Sequence, residues 1–115
     1  MKRRFRLTRS NDIKRVRRAG KSYAHPLVVL VVSTASENTH RIAIITGKSV
    51  GGAVERNLIR RRLRAICDHL LPEMKPGFEA VLIARGPSQK AEFRDLENVV
   101  SSVFQRAGLI NISNG

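Results

Sequence analysis

Acidic residues are scarce in this chain: nine Asp and Glu stand against 22 Lys and Arg, for a net charge of +13. A surface laced with ion pairs is therefore excluded, and a polyanionic partner is implied. A lone cysteine, Cys67, excludes an internal disulfide framework and fits a reducing compartment. No apolar run approaches the ~20 residues of a membrane-spanning helix. The basic N-terminus also lacks the apolar core of a signal peptide. With no Trp, one Tyr and four Phe, the chain has no aromatic-rich amphipathic face for a membrane surface. Its three histidines, His25, His40 and His69, show no ligand spacing, and most carboxylates fall in the C-terminal half. Neither a zinc cluster nor an acid–base pair made of protein is expected. These absences describe a cytoplasmic protein of one domain, residues 1–115, whose chemistry comes from a partner.

The charge is unevenly placed. Residues 1–64 hold 17 Lys/Arg and 3 Asp/Glu, whereas residues 65–115 hold 5 and 6. At its densest, within TGKSVGGAVERNLIRRRLRAICDHLL at 46–71, the chain places Arg56, Arg60, Arg61, Arg62 and Arg64 in nine positions. At about 100° per residue, Ile59, Leu63, Ile66 and Leu70 share one helical face. Asn57, Arg60, Arg61 and Arg64 follow the i, i+3, i+4, i+7 spacing on the opposite side. One side is built for a core and the other for phosphates, which the planar guanidinium binds through two donors. Arg56 and Arg62 flank the apolar side, where their methylenes could instead cover it. Cys67 borders that face and reads as a buried small side chain. The preceding loop at 47–52 carries Lys48 and is a weaker phosphate candidate, since the GxxxxGK[ST] spacing is missing.

In chain order, residues 1–9 form a basic arm of a kind commonly mobile until nucleic acid binds. Its Phe5 either stacks on a base or anchors the arm. Ser10 or Asn11 caps a short basic helix ending at Gly20. Residues 22–34 read as extended chain interrupted by Pro26, and residues 41–46 as a second strand forming an antiparallel hairpin with the first. The arginine helix follows, then a third strand at 78–84. A helix from Ser88 to about residue 107 carries Phe93, Leu96, Val100 and Phe104 on a core stripe, and a tail spans 109–115. The expected class is α+β, a small mixed β-sheet packed with helices in the order α-β-β-α-β-α.

The run GGAVERN at 51–57, followed by Arg60, Arg61, Leu63 and Arg64, resembles the signature of the bacterial ribonuclease P protein component. RFRL at 4–7 and IAR at 83–85 extend the resemblance over nearly the whole chain. It implies a ribosomal protein S5 domain 2-like fold with a left-handed βαβ crossover around the signature helix. It also implies binding to a catalytic RNA that, with Mg2+, removes the 5′ leader of precursor tRNA, the protein being a monomer in a 1:1 complex. On this resemblance Lys48, Arg56, Asn57, Arg60, Arg61 and Arg64 meet the catalytic RNA. Ile13, Arg17 and Val31 line a cleft for the leader, where the family often has aromatics. A structural, ribosomal-type RNA-binding protein without turnover is the alternative; a DNA-binding regulator is disfavoured, because few Asn or Gln base readers stand beside the arginines.

Overall fold

The computed structural model describes residues 1–111. Its elements in chain order are helix α1 (Ser10–Ala19), strands β1 (Lys21–Ala24), β2 (Val28–Thr34) and β3 (His40–Thr46), helix α2 (Ala53–Leu70), strand β4 (Phe78–Ala84) and helix α3 (Phe93–Arg106). Helix α1 starts at Ser10 itself, and neither Ser10 nor Asn11 makes a capping hydrogen bond.

Four strands, one more than expected, form a single sheet in the order β1-β2-β4-β3. The extra strand comes from the break at Pro26. Residues 21–24 fold back on β2 as an antiparallel hairpin, closed by a hydrogen bond from His25 N to Val28 O at 2.9 Å. The expected hairpin of β2 with β3 does not form, because β4 lies between them, antiparallel to β2 and parallel to β3. Five of the seven β4 residues in succession, and Ala84 after them, are buried, so this strand needs neighbours on both edges and cover on both faces. The turn before β3 guides β4 in: Gly77 N and Phe78 N both donate to Thr39 O, at 2.6 and 3.0 Å. Helix α2 is thus the crossover between the parallel strands β3 and β4.

Alternation along the strands divides the interior in two. On one face Leu30, Ile42, Phe78, Ala80 and Leu82 meet Ile59, Leu63 and Ile66 of α2 and Leu96, Val100 and Phe104 of α3. On the other, Val31, Ala43 and Val81 meet Val16 of α1 and Leu7 of the arm. The expected stripe of α3 holds except at Phe93, which sits at the helix start and is 41% exposed, while Val103 takes a buried place instead. The chain between 86 and 90 is a separate 3-10 turn, so α3 is capped at Glu92, four residues after the expected cap at Ser88. Gly108, at φ +75°, ends it in the left-handed conformation that lets Leu109 N reach Phe104 O at 3.0 Å. Leu109 and Ile110 then bury themselves in the larger core, so they are not tail; residues 112–115 of the expected tail lie outside the described residues.

Cys67 is fully buried on α2, and loss of hydration pushes its thiol up to about 12. The thiol should stay neutral, and inert to iodoacetamide, at pH 8 in the folded protein. Mass spectrometry should find alkylation only after denaturant is added.

Candidate nucleic-acid interface

The entry to α2 is tight. Gly51 sits at φ +136°, and a Cβ there would meet Glu55 Cβ at 3.0 Å, so only glycine fits. The Glu55 carboxylate rests against Gly52 at the helix N-terminus. An anion arriving there would meet a negative charge, so the loop is not an open phosphate cradle, although Lys48 is exposed in it.

Along the helix, Asn57 and Arg61 are exposed, whereas Arg56, Arg60, Arg62 and Arg64 are half-buried. The four residues of the expected phosphate stripe thus do not all sit on the crest: Arg60 and Arg64 occupy a shoulder. Arg60 divides its fork, donating to Asn57 Oδ1 at 2.9 Å and to Thr46 Oγ1 at 3.0 Å. It thereby ties α2 to the end of β3 with the guanidinium fixed in orientation, and three of its five N–H donors remain. Arg56 turns back on its own helix, Nε facing Gly52 O at 3.4 Å. Val54, 79% exposed, and Leu58 share the outer side of α2 with Arg61.

The arm joins this shoulder rather than standing free. Arg6 bridges to Ile42 and Leu7 N donates to Ile42 O at 3.0 Å, so the arm adds a short parallel contact to β3 at the sheet edge. Leu7 is buried, and Phe5 stacks on His40 with ring centroids 4.6 Å apart, so Phe5 anchors the arm to β3 through one of its faces. Arg64 is held below the usual guanidinium range, first by burial and then by repulsion from Arg6 and Arg60. It remains charged at neutral pH. Three cations crowded together, with no ion-pair partner among the described residues, create a local field that favours an anion. Sequence reasoning missed Arg6, which is 58 positions from Arg64; no periodicity links them.

On the opposite face of the sheet, α1 is tied down by Arg15, whose guanidinium donates to Glu79 of β4 at 2.8 Å and to Asp12 at 3.2 Å. These contacts raise the Arg15 pKa. Of the expected leader residues, Ile13 is half-buried at the lip of α1 and Arg17 is exposed. Val31 is only 4% exposed beneath Val16, so it presents no surface. The available floor lies one register step away, where Val29, Ile83 and Ile45 align across three strands and are each half-buried. Alternation shows which strand residues share that face, but not how far α1 extends over it.

Among the described residues no group of three or more His, Cys, Asp or Glu could hold a metal ion, and no helix is long and apolar enough to cross a membrane. Fold and charge together define a small, basic α+β protein whose cationic surface suits a polyanion. A family model described as Ribonuclease P matches residues 1–108. The ribonuclease P protein component of Herpetosiphon aurantiacus is 36% identical over 95% of this chain and 89% of its own length. That of a Roseiflexus species is 36% identical over 99% and 94%. The RNase P protein of Staphylococcus aureus superposes with a TM-score of 0.84 at 26% identity, covering 93% of this chain and 98% of that one. The Thermotoga maritima RNase P protein shares the fold, with a TM-score of 0.80 at 22% identity, covering 88% and 96%. The chain belongs to the ribonuclease P protein family.

Glu79→Gln removes the carboxylate that seats α1. Its midpoint in urea should fall, and a double-mutant cycle with Arg15→Gln should return a favourable coupling between the two positions.

Proposed function

We propose that this protein is the protein subunit of a ribonuclease P holoenzyme, binding a catalytic RNA and the 5′ leader of precursor tRNA. The carrying observation is the shoulder where Arg60, Arg64 and Arg6 converge with no ion-pair partner among the described residues. It offers RNA phosphates the Arg60 guanidinium fixed by two hydrogen bonds and the partly desolvated Arg64, with exposed Arg6, Asn57 and Arg61 extending the contact. Arg56 and Lys48 contribute at the helix entry.

The leader runs between α1 and the sheet. Ile13 and the row formed by Val29, Ile83 and Ile45 give this groove an aliphatic floor, and Arg17 adds charge from α1. Phosphate attraction and shape, rather than base stacking, then hold the leader.

The donor set does not fit Mg2+, since the described carboxylates do not gather. The metal is assigned to the RNA and its substrate. The protein's own contribution is to offset phosphate repulsion between two RNAs, raising substrate affinity and lowering the Mg2+ that cleavage requires.

Adding the protein to catalytic RNA and precursor tRNA at low Mg2+ should increase cleavage at the leader junction; no gain would favour a structural RNA-binding role. Arg61→Ala, at an exposed side chain with no hydrogen bond or ion pair among the described residues, should weaken assembly with the RNA and reduce the slope of log affinity against log salt by about 1. The Arg60→Ala, Arg61→Ala pair should weaken it further. A filter-binding salt series checks both, with circular dichroism to confirm folding.

A further inference from the structure

Beside the Arg6 end of the α2 shoulder, where the arm crosses the start of β3, two hollows share one wall. The wall is the stacked pair Phe5 and His40, backed by Phe78 of the core at 6.3 Å from His40. The larger hollow, about 770 Å³, has an apolar floor of Leu71, Pro72 and Met74, with Lys2 beside it. Its volume falls in the range of small-molecule sites. The one carboxylate lining it, Asp68, is already paired with the Met1 ammonium at 2.8 Å. The smaller hollow, about 370 Å³, is polar and cationic, lined by Arg4, Arg41, Asn38 and Thr39.

Three observations distinguish this place from ordinary surface. First, Lys2, Arg4 and Arg41 are exposed and have no carboxylate partner among the described residues, so the positive charge is uncompensated. Second, the Arg4 guanidinium lies 4.7 Å over the Phe5 ring, which places a cation and an aromatic wall at the junction of the hollows. Third, His40 Nδ1 is buried with no hydrogen-bond partner, so no polar contact at that atom explains the imidazole there. Its ring serves as the backing on which Phe5 stacks.

We propose that this double hollow is a second RNA contact that takes one unpaired nucleotide. The base takes the Phe5 face that the exposed Arg4 side chain covers in the free protein, beside the apolar hollow, and the displaced Arg4 joins Arg41 at its phosphate. An aromatic wall beside guanidinium groups is the chemistry that binds single strands without reading sequence. A duplex, whose bases are stacked inside, would gain only the phosphate contacts. The site goes beyond the α2 shoulder and the leader groove, and does not depend on either.

The experiment is an NMR titration of the labelled full-length chain with oligoadenylate of five nucleotides, with AMP, and with a short RNA duplex. The single strand should shift Phe5, His40 and Arg41 saturably, AMP should shift the same residues more weakly, and the duplex should leave the Phe5 and His40 rings unmoved. Phe5→Ala should weaken this event roughly fivefold or more, the scale of one lost base stack. Arg41→Gln, a substitution on the exposed rim, should weaken it and flatten its salt dependence even if Phe5→Ala loosens the arm. Arg61→Ala should leave it unchanged, which separates this site from the α2 reading. Shifts confined to α2 or to the groove under α1 would overturn the proposal, as would affinity unchanged by both Phe5→Ala and Arg41→Gln. AMP binding as tightly as the pentanucleotide would overturn the RNA assignment in favour of a free nucleotide.

Discussion

Strand β4 carries almost no surface that water could wet, and the architecture answers that constraint. Residues such as Ala80 and Leu82 face α2 and α3, while Val81 faces α1, so both sides of the strand must be covered. Both edges must be paired as well, since a buried unpaired amide costs about as much as a lost hydrogen bond. β2 and β3 therefore flank β4 instead of pairing with each other. The connection from β3 back to β4 has to pass over the sheet, and the arginine helix makes that passage. The one charged residue of β4, Glu79, meets Arg15 rather than solvent, so the burial of the strand also determines where α1 sits.

Electrostatics is then imposed on a scaffold already in place. Burying Ile59, Leu63, Ile66, Cys67 and Leu70 orients α2, and each fully buried aliphatic side chain among them contributes about 2 kcal/mol. That stabilisation outweighs the few tenths of a kcal/mol that each like-charge pair along the helix costs. The repulsion among Arg6, Arg60 and Arg64 thus persists in the folded protein as a local field, to be relieved by an anion. Arg60 shows how the two roles combine: its bonds to Thr46 and Asn57 stabilise the helix–strand junction and also fix the direction in which its remaining donors point.

Family membership and site geometry bear on different questions. The match over residues 1–108 and the shared fold establish what kind of protein this is. The described residues add that its positive surface is continuous between α2 and the arm, and that the sheet face toward α1 carries a half-buried aliphatic row, Val29, Ile83 and Ile45. Aromatic rings lie elsewhere, Phe78 and Phe104 in the larger core and Phe5 against His40.

Local patterning alone was enough to place β4 at 78–84, the α2 face of Ile59, Leu63 and Ile66, the burial of Cys67 and the break at Pro26. Each follows from a continuous apolar run, from period-3.6 burial or from the missing proline N–H, and these act within a few residues. The signature at 51–64 was also legible, because it is contiguous. Tertiary structure decided the rest. It determined which strand pairs with which, that Val31 is sealed while Val29 is open, that Arg60 and Arg64 sit on a shoulder, and that Arg6 and Phe5 join surfaces tens of residues away. Those outcomes depend on contacts between segments remote in the chain, where covering β4 on both faces and edges outweighs any local preference for a hairpin or a free arm.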